Sequence, residues 1–513
     1  MKIGDAETLV ILDFGSQYTQ LIARRARELG VFSIILPFKS TAADVAKHNP
    51  KGIILSGGPN SVYDKQAPDF DPELLGLEVP VLGVCYGLQL LAQALGGKVE
   101  ASLTREYGKA TVELHGKSAL INQKYDKSVV WMSHGDHVSV PPEGFTVTAK
   151  SGELICAVED TSLGIFGLQF HPEVVQTQYG RQILERFIEL CGFKRDWEAG
   201  AIIPEQVANI RALVGDAHVV CALSGGVDSS VAATLVDRAV GAQQTCIFVD
   251  NGLLRQNEFD EVLEMYKETG LNVKPVRAGK QFLAKLKGVT DPEQKRKIIG
   301  TEFIRIFEAE AAKIPNVQFL VQGTLYPDVI ESVSVNGPSV TIKSHHNVGG
   351  LPEKMHLKLI EPLRELFKDE TRALGRELGL PQAIVGRQAF PGPGLGVRIV
   401  GEITPEAVHL LQQADAIVRY EIEQEPEIRA QLYQYFAVLL PVQSVGVMGD
   451  GRTYEKAVVV KAFHSDDIMT AEWAHLPYEL LQRISSRIVS EVKGVNRVVY
   501  EITSKPPATI EWE

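Results

Sequence analysis

The segment that most constrains the fold of this chain is Ser-Gly-Gly-Val-Asp-Ser-Ser, which spans Ser224 to Ser230. It follows the short apolar run Val219 to Leu223 and precedes a segment rich in alanine, valine and leucine. This order predicts a buried β-strand, a tight turn and the start of an α-helix. The free N–H groups of a first helical turn bind anions, and Gly225 and Gly226 let the backbone approach one closely. The segment therefore predicts an α/β domain with a phosphate-binding loop.

The loop lacks the lysine of the motif G-x-x-x-x-G-K-[ST]. An ordinary turn that caps a helix is the alternative, and it explains a lone Ser-Gly-Gly better than the full string after a buried strand. The string resembles the pyrophosphate loop of the ATP-pyrophosphatase family, whose members cleave ATP between its α and β phosphates. The resemblance implies adenylylation rather than kinase chemistry. It also implies an ATP site made of Ser224, Gly225, Gly226, Val227, Asp228, Ser229 and Ser230.

Length and composition narrow the class of protein. A chain of 513 residues is too long for one core. A net charge of −12 argues against general nucleic-acid binding. No apolar run approaches the ~20 residues that span a bilayer, and no signal pattern opens the chain. The five cysteines form no C-x-x-C pair, which disfavours disulfide frameworks and zinc sites and predicts a cytoplasmic protein.

The pattern predicts two doubly wound α/β domains followed by a smaller α+β domain. We place the boundaries at 1–197, 198–387 and 388–513, with a polar linker after Gly192 and a Gly/Pro cluster at Pro391 to Gly394. Predicted strands are Thr8 to Leu12, Gly52 to Leu55, Val79 to Val84, Lys456 to Phe463 and Arg497 to Ile502. Predicted helices are Gln17 to Leu29, Leu88 to Leu95 and Pro477 to Val492.

A second motif, Gly83-Val84-Cys85-Tyr86-Gly87, lies at the end of a predicted strand. It has the form of the nucleophile elbow G-x-S-x-G with cysteine in place of serine. The flanking glycines permit a sharp strand-to-helix turn, and the thiol at a helix N-terminus is favoured as thiolate. The motif predicts a cysteine nucleophile at Cys85.

Such a nucleophile needs a base, and the segment Phe170-His171-Pro172-Glu173 supplies one. A residue before proline is extended, so His171 and Glu173 can point to the same side. Glu173 can then orient the imidazole as the acid does in Ser-His-Asp triads. A single buried cysteine is usually inert and a lone His-Pro is usually a turn, but the two motifs together outweigh those alternatives.

Both motifs resemble those of the class I glutamine amidotransferases, with Gln89 completing the pattern G-x-C-x-G-x-Q and Ser56 to Pro59 matching the oxyanion strand. The resemblance implies that Cys85 attacks the glutamine carboxamide and that ammonia departs. Backbone N–H groups of Gly58 and Tyr86 would hold the oxyanion. Gln89, Ser133 and His134 resemble glutamine-binding positions. For His134 and His137, a role in a polar loop remains as open as a direct one.

The chain as a whole resembles the family of glutamine-hydrolysing GMP synthetases. Matching segments are Asp250 to Arg255, Lys295 to Gly300, Gln322 to Thr324, Lys343 to Gly350, Phe390 to Leu395 and Lys505 to Glu511. The resemblance implies that O2 of XMP attacks the α-phosphate of ATP, that pyrophosphate leaves, and that ammonia replaces AMP at C2. ATP, XMP and glutamine are the expected partners, with no tightly bound organic cofactor.

An acid in a phosphate loop is a natural Mg²⁺ ligand, which predicts a metal role for Asp228 alongside ATP. The alternative is a helix N-terminal acid favoured by the dipole. The resemblance also places Asp328, Glu331 and Lys343 in a lid over ATP, where the alternative is a solvated loop. His345 and His346 have no third ligand at metal spacing, so we reject a metal site there.

The C-terminal segment has two interpretations. Termini often fray, but two prolines, Ile510 and Trp512 make a stiff, apolar tail that gains by docking. The resemblance implies that it folds over XMP, with contacts from Arg296, Asp450, Lys505, Ile510 and Glu511. It also implies that the third domain forms a homodimer.

Two other classes of function remain. An amidotransferase for a different acceptor would have no use for the segment Lys505 to Glu511. A catalytically silent nucleotide-binding protein would be expected to lose Cys85, His171 or the loop glycines, all of which are present.

Overall fold

The computed structural model describes residues 6–333, 357–448, 451–465 and 470–513, with the backbone alone described at 102–106, 331–333 and 448. These residues form two compact units. The first contains residues 6–205 and 326–333, and the second contains residues 206–325 and the described residues from 357 onwards. Within the described ranges, no helix combines the length and apolarity needed to cross a membrane.

The first unit is built on a nine-stranded sheet. Its strands are β1 (Thr8–Asp13), β2 (Phe32–Pro37), β3 (Pro50–Leu55), β4 (Val81–Val84), β5 (Lys98–Leu114), β6 (Ser128–Val140), β7 (Thr146–Ser151), β8 (Leu154–Asp160) and β9 (Ile165–Leu168). The order is β2-β1-β3-β4-β9-β8-β7-β5-β6. The five strands β2, β1, β3, β4 and β9 are parallel neighbours. Strands β8, β7, β5 and β6 extend the sheet through antiparallel pairings. The parallel strands are almost continuous apolar runs because both faces of such a sheet are covered.

Helices α1 (Thr19–Glu28), α2 (Ala42–Ala46), α3 (Tyr86–Ala94) and α4 (Gly180–Leu190) belong to this unit. The chain moves outward from β1 to β2 and then returns to β3 and β4 on the other side of β1. The strand order therefore reverses between β1 and β3, and ligands bind beyond the carboxyl ends of strands at such a switch point.

The second unit contains a five-stranded sheet in which every pairing is parallel. Its strands are β10 (His218–Leu223), β11 (Gln244–Asp250), β12 (Val273–Arg277), β13 (Val317–Val321) and β14 (Lys358–Ile360), in the order β12-β11-β10-β13-β14. The helices among them are α5 (Ile203–Val214), α6 (Val227–Val240), α7 (Glu258–Lys267), α8 (Gly279–Leu286) and α9 (Pro292–Ala311). Helix α10 (Tyr326–Val333) follows β13 in the chain but belongs to the first unit. The strand order reverses at β10, so the loop after β10 lies at the switch point.

A smaller sheet follows, made of β15 (Gln434–Met448), β16 (Gly451–His464), β17 (Glu472–Trp473) and β18 (Val495–Tyr500). Strand β16 pairs antiparallel with β15 and β17 and parallel with β18. Helices α11 (Lys368–Glu377) and α12 (Gln382–Val385) precede this sheet and contact α6. The helices that accompany the sheet are α13 (Pro405–Glu423), α14 (Pro426–Gln431) and α15 (Tyr478–Glu491). On α15 the side chains of Leu480, Ile484 and Ile488 recur every four residues and are all buried. Burial of each such side chain contributes about 1.5–3 kcal/mol.

One hydrophobic core runs through the second unit, from Val220 and Ile247 in the parallel sheet to Val458 and Ile484 in the smaller one. The predicted fold class, two α/β domains with a smaller α+β domain, is confirmed. The boundary between 387 and 388 separates two sheets that share this core, and the three-domain division stays a prediction.

Candidate functional site

The turn between β4 and α3 holds Cys85 in a strained backbone conformation. Cys85 has φ +51° and ψ −104°, a region that residues with a side chain rarely adopt. A Cβ atom on Gly87 would lie 2.2 Å from the carbonyl oxygen of Leu55, and one on Gly83 would lie 2.6 Å from the backbone of Gly87. The turn therefore closes only because both flanking residues are glycines.

The thiol of Cys85 is 3% exposed and lies between two polar groups. Its Sγ donates to the backbone oxygen of Ser133 at 3.5 Å. The side-chain amide of Gln169 donates to the same Sγ at 3.8 Å, and Gln169 is fully buried. Gln169 belongs to neither sequence motif and was not predicted as a site residue. The available signal was a polar residue closing a buried strand two positions before His171.

His171 and Glu173 follow β9 and form a buried pair. His171 Nδ1 lies 2.7 Å from Glu173 Oε1, and both side chains are almost inaccessible to solvent. Burial opposes the charged imidazole, but the Glu173 carboxylate and the Cys85 side chain outweigh it and raise the pKa of His171 well above its usual value. The ring of Tyr18 packs edge-on against the imidazole at 5.0 Å. The structure thus brings together the three residues predicted as a triad.

Gly58 and Tyr86 lie at the carboxyl ends of neighbouring parallel strands, β3 and β4. A Cβ atom on Gly58 would lie 2.8 Å from the backbone oxygen of Phe14 and 3.3 Å from Tyr86 Cδ1. A Cβ atom on Gly57 would lie 3.0 Å from His171 Cε1. The backbone of this loop therefore runs close to the elbow and to the imidazole, as an oxyanion-binding role requires.

Gln89, Ser133 and His134 connect α3 to β6. The Gln89 side-chain amide donates to the backbone oxygen of Asp136 at 2.7 Å, and Gln89 is 2% exposed. His134 and His137 lie within strand β6, so their predicted alternative placement in a polar loop is wrong. The alternation of β6 buries His134, and burial lowers its pKa to about 4, so that its imidazole is neutral at pH 7.

The phosphate loop joins β10 to α6, as the sequence predicts. Gly225 has φ +74°, and Gly226 is the N-cap of α6. The loop hydroxyls bond within the loop: Ser224 Oγ lies 3.1 Å from Ser229 Oγ, and the N–H of Gly226 donates to Ser224 Oγ at 3.3 Å. Ser230 is buried and shares a 2.7 Å hydrogen bond with the hydroxyl of Tyr266. The loop is a preformed turn with polar groups that can exchange partners.

Asp228 is in the first turn of α6 and pairs with Lys368 at the start of α11. The Lys368 ammonium lies 2.7 and 2.6 Å from the two carboxylate oxygens, and the Asp228 side chain is 30% exposed. The Lys368 ammonium lies where a metal ion bound to the Asp228 carboxylate would be. The carboxylate is a suitable ligand for a hard cation such as Mg²⁺, which would have to displace the ammonium. Among the described residues there is no group of three or more His, Cys, Asp and Glu side chains placed to hold a metal.

Two contacts of the phosphate loop were not predicted from the sequence. The guanidinium of Arg387 donates to the backbone oxygen of Gly225 at 2.7 Å and pairs with Glu258. A Cβ atom on Gly323 would lie 3.0 Å from the backbone of Asp228, so the end of β13 packs closely on the loop. Arg387 is far from the loop in sequence and no local pattern identifies it.

The C-terminal tail is docked rather than frayed. The backbone of Lys505 pairs with Ala471, with hydrogen bonds of 2.8 and 3.0 Å. Glu511 accepts two hydrogen bonds of 2.9 Å from Arg398, which is fully buried and lies 3.8 Å from the ring centre of Phe436. Ile510 packs against a cluster that includes Phe436. The tail is therefore held by paired charges as well as by apolar contacts.

The remaining residues predicted to bind XMP or ATP lie in several parts of the chain. Arg296 donates to the backbone oxygen of Glu513, whose carboxylate pairs with the buried Lys295. Asp328 lies in the first turn of α10, and the backbone of Glu331 lies in the same helix. Lys343 and Asp450, and the rejected pair His345 and His346, lie outside the described residues.

A cysteine elbow with a buried His–Glu pair, joined in one chain to an α/β unit with a pyrophosphate-type loop, defines a glutamine amidotransferase coupled to an ATP-using domain. Comparison with known proteins agrees. Residues 10–190 match the family model described as glutamine amidotransferase class-I, and residues 421–512 match the GMP synthase C terminal domain. Residues 217–273 match the tRNA methyl transferase HUP domain.

Three curated relatives, each described as GMP synthase (glutamine-hydrolyzing), match along the whole chain. The relative from Geobacillus kaustophilus is 56% identical over 510 residues, covering 99% of both chains. Those from Chlorobaculum tepidum and Clostridium kluyveri are 55% and 54% identical, each covering 99% of this chain and 99% and 100% of their own. A solved structure of a putative GMP synthase subunit from Thermoplasma acidophilum aligns at 31% identity over 36% of this chain and 94% of its own, with TM-score 0.32. The chain belongs to the family of glutamine-hydrolysing GMP synthases, as its predicted resemblance indicated.

Proposed function

We propose that this chain carries out glutamine-dependent GMP synthesis with the residues assigned from its sequence. Glutamine is hydrolysed to glutamate and ammonia in the first unit. In the second, O2 of XMP attacks the α-phosphate of ATP and pyrophosphate leaves. Ammonia then displaces AMP at C2 to give GMP. The full-length likeness to GMP synthases, in a chain that brings Cys85, His171 and Glu173 together, carries this proposal.

In the glutaminase reaction Cys85 is the nucleophile, and attack on the carboxamide carbon forms a glutamyl thioester. His171 gives a proton to the departing ammonia, which suits an imidazole whose pKa is raised by Glu173. The Gly58 and Tyr86 N–H groups stabilise the oxyanion, a contribution of about 3–4 kcal/mol per donor in comparable sites. Water then releases glutamate by the reverse proton route.

Gln89, Ser133 and His134 hold the glutamine substrate in this proposal. The neutral state of His134 supports that role, because a neutral imidazole can donate one hydrogen bond and accept another. The backbone oxygen of Ser133 accepts a hydrogen bond from the thiol and so lies beside the nucleophile, which supports a role for Ser133 in holding the substrate. The buried surroundings exclude water that would compete for the carboxamide.

In the nucleotide reaction the Ser224–Ser230 loop holds the leaving pyrophosphate. Its glycines and first-turn N–H groups form an anion cradle, and its hydroxyls can transfer their hydrogen bonds from one another to phosphate oxygens. Mg²⁺ held by Asp228 would neutralise phosphate charge. Lys368, which pairs with Asp228, would supply a further positive charge near the phosphates. Asp328, Glu331 and Lys343 complete the ATP site in this proposal.

XMP lies under the tail, in contact with Arg296, Asp450, Lys505, Ile510 and Glu511. Lys505 and Ile510 lie together in the docked tail beside Lys461, Trp473 and Glu501, around a cavity of about 10 Å³ that has room for one water molecule and not for a nucleotide. The XMP assignment therefore rests on the full-length likeness to GMP synthases. An amidotransferase with a different acceptor is not favoured, because the tail from Lys505 to Glu511 is docked at this cavity by paired charges.

The decisive experiment is incubation with XMP, ATP, Mg²⁺ and glutamine, with separation of the nucleotides. GMP, AMP and pyrophosphate in equal amounts, with one glutamate for each GMP, are expected. Omission of XMP should stop release of both AMP and pyrophosphate, whereas replacement of glutamine by ammonium chloride should preserve GMP formation. Formation of ADP and phosphate instead would contradict the assigned cleavage of ATP.

We also infer that two copies associate through the smaller sheet. Val442, Val445, Val447 and Tyr454 project from β15 and β16 and are 54–75% exposed, and Val445 lies opposite Tyr454 in the strand register. An apolar strip of this kind favours a second copy related by two-fold symmetry. None of the five cysteines forms a disulfide, and all are buried, which favours a cytoplasmic protein.

A further inference from the structure

Arg255 is a buried guanidinium whose hydrogen-bond donors are only partly used. Its side chain is 5% exposed, and among the described residues Nε and Nη2 have no hydrogen-bond partner. The nearest carboxylates are Asp415, 3.6 Å from Nε, and Glu258, 3.9 Å from Nη1. Unused donors on a buried charge are costly, so Arg255 gains from small displacements that improve its contacts.

On one side Arg255 is connected to the phosphate loop through Glu258, in the first turn of α7. One carboxylate oxygen of Glu258 accepts from the backbone N–H of Arg255 at 2.7 Å. The other accepts from Arg387, whose second nitrogen donates to the backbone oxygen of Gly225 at 2.7 Å. Glu258 therefore fixes the guanidinium that holds the loop.

On the other side Arg255 is connected to the tail through an aromatic ring. The guanidinium carbon of Arg255 lies 4.4 Å from the centre of Phe390, and that of Arg398 lies 5.3 Å from the same ring. Arg398 is fully buried and donates both of its hydrogen bonds of 2.9 Å to Glu511 in the tail. The guanidinium groups of Arg255 and Arg398 thus both contact the ring of Phe390, and Glu511 of the tail is the carboxylate that pairs with Arg398.

The charge of Arg398 acts directly on Arg255. Burial lowers the pKa of Arg255 to about 10; Asp415 and Glu258 oppose that shift, and the charge of Arg398 adds to it. Glu511 neutralises Arg398 when the tail is docked and so weakens the repulsion between the two guanidinium groups. Withdrawal of Glu511 would leave Arg398 uncompensated and push Arg255 away from Phe390.

We propose that Arg255, Glu258 and Arg387 are positioning residues that couple docking of the tail to the shape of the phosphate loop. We call these three residues the relay. With XMP under the tail and ATP in the loop, which this inference takes from the proposed function, each nucleotide strengthens binding of the other. When the tail is undocked, the hydrogen bond from Arg387 to the backbone oxygen of Gly225 is weakened and the phosphate loop binds ATP less tightly. Adenylylation is therefore favoured only when XMP holds the tail in place.

The coupling is measured by calorimetry on the full-length protein. The dissociation constant of XMP is determined without and with saturating α,β-methylene-ATP and Mg²⁺. We expect the analogue to tighten XMP binding by about fivefold or more, with the same factor in the reverse titration. Glu258→Gln keeps an acceptor for the Arg255 N–H but removes the charge that holds Arg387, and should bring the ratio to within about twofold of one.

Two further variants separate coupling from general damage. Arg387→Lys keeps the charge but lacks the planar fork whose two nitrogens reach Gly225 and Glu258 separately, so it should weaken the coupling while XMP affinity without the analogue is retained. The matched control is Arg483→Lys, an exposed arginine of the same unit that pairs with Glu421 and Glu425. The control should couple as strongly as the wild type, since it lies outside the relay.

Hydrogen exchange tests the relay with no nucleotide present. Glu511→Gln should speed amide exchange at residues 224–226 relative to the wild type and leave strand β1 unchanged, because only the tail end of the connection is altered. Unchanged exchange at 224–226, or full coupling in Glu258→Gln, overturns the relay. Wild-type protein that binds both nucleotides with a ratio near one overturns the relay alone. Protein that binds neither overturns the proposed function and the relay with it.

Discussion

The elbow of the first unit and the phosphate loop of the second are both turns from a parallel strand into a helix, but they differ in what they contain. At the elbow Cys85 and His171 are each 3% exposed, Glu173 is 1% exposed, and His171 interacts with both of the others. At the phosphate loop the Asp228 side chain is 30% exposed and paired with Lys368, and the hydroxyls of Ser224 and Ser229 bond each other.

The difference follows from which partner supplies the reacting atoms. The protein provides the nucleophile and base for glutamine, so these groups must be held in place before the substrate arrives. The nucleotides provide the reacting atoms at the loop, and the protein there offers charges and donors. Those polar groups need partners in the absence of ligand, and they find them in each other. Fixed groups at one site and exchangeable groups at the other are the expected result.

The largest test of this contrast removes the fixed nucleophile. Cys85→Ala should reduce glutamine-dependent GMP formation by about 10⁴-fold or more and leave ammonium-dependent formation within about twofold of the wild type. The reason is that only the first reaction uses the thiol. Steady-state GMP formation with each nitrogen source checks both statements.

The control is Cys191→Ala, since burial raises the pKa of that thiol to about 12 and keeps it protonated. Its activity with glutamine should match the wild type. Loss of ammonium-dependent synthesis in Cys85→Ala would mean that the two sites are not separable.

The next test removes the carboxylate of Asp228, the charged group of the phosphate loop that pairs with Lys368. Asp228→Asn should lower pyrophosphate release by about 10³-fold with either nitrogen source, because metal binding and phosphate positioning fail together. A coupled pyrophosphate assay measures this. Asp260→Asn, which loses an exposed pair with Arg277 in the same unit, serves as the control and should retain activity. Wild-type pyrophosphate release in Asp228→Asn would exclude the metal role.

A third test concerns the pH dependence of stability at the glutaminase site, where the buried His134 is held neutral. Burial lowers the pKa of His134 in the folded state to about 4 from its usual value of 6.5, so the folded state binds fewer protons. Its stabilising contribution is complete above pH 6.5 and is lost as the pH falls towards 4, a difference of about 3 kcal/mol.

Hydrogen exchange of the β6 amides between pH 4 and 7 measures this difference. His134→Gln should flatten the dependence, since the variant has no group to protonate there. An identical pH dependence in the variant and the wild type would show that His134 does not control it.

The smallest expected effect is at the tail. Lys505→Ala should raise the KM for XMP by about tenfold and the KM for ATP by less than about twofold, because it removes a partner of the XMP phosphate alone. Initial-rate kinetics with each nucleotide varied in turn distinguishes the two. Lys493→Ala, an exposed lysine of the same part of the chain, is the control. Equal increases in both constants would assign Lys505 to general folding of the tail.

Local patterns predicted the turns well, because a turn is specified by a few adjacent residues. The elbow and the phosphate loop both lie where their glycines indicated. Strand and helix ends moved by a few residues: the strand predicted at Val79 to Val84 begins at Val81 because Pro80 has no N–H to donate, and β16 extends to Gly451–His464.

Partners distant in sequence could not be predicted in this way. Lys368 lies 140 positions from Asp228, and Arg398 lies 113 positions from Glu511. Hydrophobic periodicity places a residue on a face of one element but does not say which charged side chain another element will bring to it. Gln169 was missed for the same reason, because its contact with Cys85 depends on how β9 and β4 lie side by side.

The close approach of Gly87 to the carbonyl of Leu55 has a consequence for protein engineering. The backbone on both sides of Cys85 is held by close main-chain approaches at Gly83 and Gly87. A library that varies the apolar residues around the sheet can therefore change the melting temperature while the reactive centre stays in register. Codons 83 and 87 should be left fixed in such a library, because any added carbon there displaces the backbone that carries the thiol.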